Sequence, residues 1–375
     1  MKGQWIGNYF GSDQGQTNLG EIIVELDEQP DCYLGWAYLF DSREGSPHSA
    51  ALIRTPNKQL EQEFEVGVGP IAMEVAGISP WDKLKSQFPD FQFPSTAKVK
   101  SNFVGDSLHL EWTTNIGTTG QALIPKSNAE KQSELVASKV GTWKEFKELV
   151  SSFPSRKYIF RGQCQSSAWR LRTHFHRSGR SDLKRLIYED IYELYKATIN
   201  ITSHKFNFHN PDELGAFYAL VQHHGYPTPL LDWTYSPFVA AYFAFSEIPK
   251  KMEDSSQHCR IHVFDAQQWN RDFPQLVNVA GARPHFSIMA PLALGNPRMI
   301  QQQALVTLTN VDDMESYIRN REQDKGKTYL QAIDLPATSR AEVMKDLDMM
   351  GITAASLFPG IDGVCRYQKE RLFGL

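Results

Sequence analysis

Cysteine is scarce in this sequence: Cys32, Cys164, Cys259 and Cys365 lie far apart, with no Cys-x-x-Cys pair. That excludes a zinc ribbon and a disulfide scaffold and predicts reduced thiols. No stretch approaches the roughly 18 consecutive apolar residues that a membrane span needs. Met1-Lys2-Gly3-Gln4-Trp5 lacks the basic-then-apolar opening of a signal peptide, so a soluble, cytoplasmic protein is expected. There is no Gly-x-Ser-x-Gly elbow for a serine hydrolase. Gly67-Val68-Gly69-Pro70 is too short for a phosphate loop, and His223-His224 with His209 and Cys259 lacks metal-ligand spacing, so no metal is expected. No internal repeat of fixed period occurs.

Apolar and aromatic residues, by contrast, are plentiful. Of 375 residues, 41% are hydrophobic and 12% aromatic, enough apolar surface to exclude wholesale disorder. The length predicts two or three domains. A net charge of -4 conceals an asymmetry, because residues 1–126 carry -7 and the remainder +3. Between Arg156 and Ile187, nine Lys and Arg residues stand against a single acid, Asp182. Facing one cleft, such a block would attract phosphates, from a nucleotide or from nucleic acid; spread over a solvated face it would do neither.

Up to about residue 124 the chain shows short alternating runs, at 5–9, 22–26, 33–40, 64–68, 107–113 and 121–124, broken by Gly/Asn/Asp/Pro turns. Period-two alternation with that spacing predicts an antiparallel β barrel or sandwich over 1–126, with one short helix at 81–88. Trp5 and Trp36 are expected in its core. Residues 127–141 are polar and read as a linker. From 142 the pattern changes to α+β. Thr142 caps a helix, 157–160 is a strand candidate, and 183–201 is a long amphipathic helix. A helix at 211–224, a Pro-broken loop at 226–234 and a helix at 236–246 follow. Strands are expected at 260–264, 304–308 and 328–333, and helices at 337–350 and 362–372.

Three segments of this second unit, 142–375, could carry chemistry. Phe160-Arg161-Gly162-Gln163 ends a strand in a guanidinium that can clamp an anion, beside a glycine that lets a ligand approach the backbone. The segment from His223 to Pro237 sets polar residues in a Pro-stiffened loop that feeds a helix. The third runs from Asn296 through Arg298 and Gln301-Gln302-Gln303 into a strand at Ala304.

Phe160-Arg161-Gly162-Gln163, His224-Gly225 with Pro227-Thr228, Leu230-Leu231-Asp232-Trp233-Thr234 and Ala240-Ala241-Tyr242-Phe243-Ala244 resemble, in order and spacing, the FRG domain family. Ser356-Leu357-Phe358-Pro359-Gly360-Ile361-Asp362-Gly363 resembles its closing motif, so the likeness extends over roughly 142–372. More distantly, the unit resembles an ADP-ribosyltransferase core of the Arg-Ser-Glu type. Arg161, then Thr234 and Ser236 ahead of Tyr242-Phe243-Ala244, then Gln302 before the Ala304 strand, follow that order. The resemblance implies NAD as substrate, with Arg161, Asp232, Thr234 and Gln302 as catalytic residues. It also implies NAD contacts from Arg161, Gly162, Gln163, Trp233, Thr234, Ser236, Tyr242 and Phe243: Arg161 on phosphate, Thr234 on the nicotinamide ribose, and Trp233, Tyr242 or Phe243 stacked on the nicotinamide ring. One departure matters. Where those transferases carry Glu, this chain has Gln302, a neutral amide that cannot serve as a base; Asp232 is then the candidate carboxylate.

The function implied is an NAD-using effector or toxin that ADP-ribosylates RNA or protein, in anti-phage defence or a toxin–antitoxin pair, held in check by a neutralising antitoxin partner. The acidic barrel would then be a targeting or regulatory module. The alternative is a non-catalytic nucleotide- or RNA-binding module, which the loss of a carboxylate at Gln302 favours.

Overall fold

In the computed structural model, described here for residues 1–13, 15–72, 77–89, 91–166, 168, 170–248, 257–278 and 280–373, the chain builds one barrel and one mixed sheet. The barrel strands are β1 (Gly3–Asp13), β2 (Gln16–Glu28), β3 (Tyr33–Asp41), β4 (Ser49–Arg54), β5 (Gln62–Ala72), β7 (Thr96–Val104), β8 (Ser107–Thr114) and β9 (Thr119–Ile124), with β6 (Gly77–Ile78) paired outside β5. Neighbours run antiparallel in the order β4-β3-β2-β1-β9-β8-β7-β5. Pairing of Ser49, Ala50 and Ala51 with Pro70, Gly69 and Val68 closes the circle, so the unit is a barrel and not a sandwich. Along β2, Ile22, Val24 and Leu26 point into the barrel core with Trp5, while Ile23 packs outside with Tyr38 and Phe40. Trp36 is half-buried on that outer face, stacked on Tyr38, and so is not a barrel-core residue. The helix expected over 81–88 is a single turn, α1 (Trp81–Leu84).

The second unit is a seven-stranded sheet ordered β10-β16-β13-β11-β12-β15-β14. Its strands are β10 (Ser138–Lys139), β11 (Tyr158–Gln163), β12 (Leu230–Thr234), β13 (His258–Asp265), β14 (Phe286–Met289), β15 (Ala304–Thr309) and β16 (Leu330–Pro336). Only β10–β16 is parallel. The segment expected as a loop at 226–234 thus contains a central strand. Its helices are α2 (Trp143–Ser151), α3 (His174–Arg177), α4 (Leu183–Arg185), α5 (Ile191–Thr198), α6 (Pro211–His223), α7 (Pro237–Ser246), α8 (Ala266–Asp272), α9 (Arg298–Gln301), α10 (Met314–Lys325), α11 (Arg340–Met349), α12 (Ala354–Leu357) and α13 (Ile361–Phe373). A π-helical turn at Leu186–Asp190 interrupts the long helix expected over 183–201. No helix among the described residues is long and apolar enough to cross a membrane.

Helices cover both faces of this sheet. On one, α7, α2 and α11 bury Tyr242, Phe245, Trp143 and Leu347 against Ile261 and Val263. On the other, Trp233, Phe264, Trp269 and Phe286 form an aromatic layer. Residues 127–141 lie against this unit: Ser133 donates to Glu315 at 2.8 Å, and Glu130 and Glu134 pair with Arg172 and Arg170.

Barrel and sheet dock through buried polar groups. Asp27 accepts hydrogen bonds from the Ser181 and Asp182 backbone N–H groups at 2.6 and 3.1 Å and from Arg180 Nε at 2.9 Å. Gln4 Nε2 donates to Glu25 at 2.9 Å and to the Asn310 carbonyl at 2.6 Å, and its Oε1 accepts from the Asp312 N–H at 2.9 Å. Glu25 is buried there, and desolvation pushes its carboxyl up to about 8, against the opposing pull of the Gln4 hydrogen bond.

Candidate functional site

A cavity of about 440 Å3 opens where strands β11 and β12 part. From Tyr158 to Gln163, β11 pairs with β13, but it meets β12 only at Phe160 opposite Thr234. Beyond that pair the strands diverge. Arg161 spans the fork, its Nη1 donating to the Asp232 carbonyl at 2.7 Å. Gly162 is required here for packing: a Cβ on it would stand 1.9 Å from the Ala240 carbonyl oxygen and 2.7 Å from the Ala244 nitrogen. The bare backbone that the sequence suggested for a ligand therefore admits helix α7 instead.

Arg161, Asp232, Thr234 and Gln302 all line this cavity, although 302 lies on the approach to a different strand. Their roles differ. Asp232 presents its carboxylate to the cavity, where Oδ1 accepts from Gln222 Nε2 at 2.6 Å; the Thr228 hydroxyl in turn donates to Gln222 Oε1. Enclosure by protein raises the Asp232 carboxyl above its ordinary value, while Arg161, the Gln222 bond and Arg177 oppose that rise. The Thr234 hydroxyl is buried and donates to the Gln302 carbonyl at 2.7 Å while accepting from the Ser236 N–H at 3.0 Å. It ties β12 to the 302 bend and is not presented to a ribose. Gln302 Nε2 donates to the Leu357 carbonyl at 3.0 Å, so this amide holds the α12 segment over the cavity. Gln303 follows with φ of 48°, a left-handed bend that costs a β-carbon-bearing residue about 1–3 kcal/mol.

Of the expected NAD contacts, Tyr242 and Ser236 lie outside the cavity, and Trp233 lines it only with its indole turned away. Side chains alternate along a strand, so with Asp232 and Thr234 facing the cavity side, Trp233 faces the opposite layer, where its indole donates to Thr307 at 3.1 Å among Phe264 and Leu305. Tyr242 is fully buried in the α7 core, its hydroxyl on Glu370 at 3.3 Å. Ser236 caps α7, accepting from the Val239 N–H at 3.2 Å. Gln163 lines the cavity with its amide turned onto the Gln165 carbonyl at 2.7 Å. Phe243 remains a wall of the cavity, half-exposed and edge-on to Phe358.

The cavity's charge is more specific than the sequence suggested. Five arginines line it, of which Arg170 and Arg172 are neutralised by Glu134 and Asp313 and by Asp312 and Glu130. Arg161, Arg177 and Arg298 form no ion pair among the described residues; Arg298 lies instead over the Phe358 ring at 4.9 Å. Desolvation is the largest influence on all three, lowering each guanidinium pKa; Asp232 opposes it at Arg161 and Arg177, Glu247 at Arg161, and Asp362 at Arg298. His223, beside Arg298, is pulled down to about 4 by desolvation and is a neutral imidazole. The rest of the basic block is spent elsewhere: Arg180 on Asp27 and Asp190, Lys157 on Asp265, Lys184 over Trp36. Sequence reasoning did not single out Arg177, Gln222 or His223 as site residues, and only the accounting of partners distinguishes the free arginines from the paired ones.

No curated protein and no solved structure matches the chain. Residues 156–253 match the FRG domain family, a stretch that holds Arg161, Arg177, Gln222 and Asp232 and ends before Arg298 and Gln302.

Proposed function

We propose that the cavity binds the pyrophosphate of NAD on Arg161, Arg177 and Arg298 and transfers ADP-ribose to a macromolecular acceptor. The observation that carries this reading is the convergence of three arginines, without ion-pair partners among the described residues, on a cavity that also presents the Asp232 carboxylate. Arg161 and Arg298 are half-buried and Arg177 is exposed at the cavity, so their donors are open to a ligand, and a phosphate is the group that pairs with several guanidiniums at once. In the reaction, the bond between ribose C1′ and the nicotinamide nitrogen breaks with its electron pair going to the nitrogen, so nicotinamide leaves neutral. An acceptor oxygen or nitrogen bonds C1′ and gives up its proton to Asp232. A carboxylate with a raised pKa is the better base for that transfer, and its charge stabilises the ribosyl cation as it forms. Gln302 and Thr234 act as positioning residues that fix the cavity wall. Phe243, not Trp233 or Tyr242, supplies the aromatic surface for nicotinamide.

A second reading has an observation of its own. Gln302 is neutral and its amide is engaged with Leu357, which favours a site that holds a nucleotide without turning it over. Incubation with labelled NAD and separate pools of cell protein, RNA and DNA distinguishes the two. Transferred label with free nicotinamide supports transfer; tight ADP-ribose binding with neither product supports the binding module.

A further inference from the structure

Eight-stranded barrels are just wide enough for side chains to fill the interior or to hold one small ligand, and the residue sizes along the strands decide which. One end of this barrel is filled by Met1, Trp5, Leu26, Phe64, Leu108 and Ile124. At the other end the inward positions include Ala37, Ala51 and Ala97, and a cavity of about 160 Å3 remains, walled by Ile22, Leu39, Val66, Val99, Leu110 and Trp112. Cavities near 150 Å3 lined by aliphatic and aromatic side chains stay dry and take up benzene-sized molecules.

The mouth of this lumen is built differently from its walls. Asp41 and Asn18, inward-facing on neighbouring strands, line it with Tyr9 and Arg43. Asp41 is paired with Arg43 at 2.7 Å and accepts from Asn18 Nδ2 at 3.2 Å. Asn18 Oδ1 has no hydrogen-bond partner and, packed against Gly11, no accessible surface, so a ligand donor meets it only when the half-buried Asn18 amide turns into the lumen. Phe91, Phe93 and Pro94, from the connection between β6 and β7, complete the mouth, with Phe93 stacked on Trp81 at 5.0 Å and the Arg43 guanidinium 6.0 Å from the Phe91 ring. An apolar chamber with an aromatic cover and one unmatched acceptor at its entrance is the construction of a small-molecule site.

We propose that the barrel lumen binds a small, uncharged, ring-sized apolar molecule carrying one N–H or O–H donor, with the ring among Ala37, Ala51, Ala97 and Leu110 and the donor on Asn18 Oδ1, which a turn of the amide away from Gly11 brings into the lumen. This site is separate from the arginine-lined cavity and does not depend on its function.

Phenol and toluene serve as probes, titrated into the full-length protein by ligand-observed NMR. Both should bind the wild type, and Asn18→Ala should weaken phenol about 3- to 10-fold, the scale of one hydrogen bond, while leaving toluene unchanged. Ala51→Leu, which fills the lumen, should abolish binding of both in a chain that retains wild-type circular dichroism. Failure of the wild type to bind either probe at millimolar concentration would overturn the proposal, as would undiminished binding to folded Ala51→Leu. Should Ala51→Leu not fold, the Asn18→Ala comparison decides alone: equal weakening of phenol and toluene, or of neither, contradicts the assigned donor site.

Discussion

Truncation of Arg161 to alanine separates a ligand clamp from a structural guanidinium. In the structure Arg161 makes one hydrogen bond, to a backbone carbonyl, and no ion pair among the described residues. Losing that bond costs the fold about 1 kcal/mol, and removing a desolvated positive charge offsets part of it. An arginine buried against a carboxylate would behave differently: cutting it away strands the acid and costs about 3–5 kcal/mol. On the ligand side, one charge-assisted contact to phosphate contributes about 1.5–3 kcal/mol. Arg161→Ala should therefore weaken ADP-ribose roughly 10- to 150-fold. Arg161→Lys should fall between the two, since it keeps the charge and loses the planar fork. Calorimetric titration of ADP-ribose and thermal melts on the same samples report both quantities. Unchanged affinity in a well-folded Arg161→Ala protein, or outright unfolding, would refute the reasoning.

Gly162→Ala should destabilise the protein by about 1–3 kcal/mol in chemical denaturation, because its methyl must displace helix α7 from β11 at Ala240; a neutral outcome would mean that the helix is not seated as described. Glu25→Gln tests the interface between barrel and sheet. A carboxyl raised from 4.5 to about 8 on folding favours the protonated state, so its stabilising contribution is present at low pH and is lost as pH rises through that window. The amide variant should gain on the wild type by a few kcal/mol between pH 5 and 8; parallel pH profiles would contradict the burial of Glu25. Trp233→Phe should lower stability without altering nucleotide affinity, since the indole lies in the opposite layer, and Phe243→Ala should do the reverse; equal effects on affinity would contradict that assignment.

The barrel was legible where one face of a strand is buried, which writes alternation into runs such as Phe64 and Val66 set among exposed Glu63 and Glu65. Strand β12 was not. Pro227, Pro229, Asp232 and Thr234 read as a loop, because the strand's polar positions face a cavity instead of a core. That error carried others: once 230–234 is a strand, parity alone puts Trp233 on the side opposite Asp232. Helix α10 escaped notice because polar residues dominate its surface and only Met314, Glu315 and Ile318 are buried. The four polar residues singled out at the site do share one cavity, but their hydrogen bonds divide them into a carboxylate and a guanidinium open to ligand and two groups that brace the wall. Residue type could not reveal that division, because it depends on which carbonyls lie within reach. The arginines show the same limit: charge density marked the segment and the strand-ending Arg-Gly marked Arg161, but only pairing geometry picked out Arg177 as well.

The most direct test of the central claim is release of nicotinamide from NAD by the wild-type protein and by Asp232→Asn, measured alongside ADP-ribose affinity. The wild type should release nicotinamide in the presence of an acceptor pool, and Asp232→Asn should bind ADP-ribose with near-normal affinity while releasing none above background. Release by Asp232→Asn at the wild-type rate, or no release by the wild type with any acceptor pool, would contradict the assignment of this cavity to ADP-ribosyl transfer.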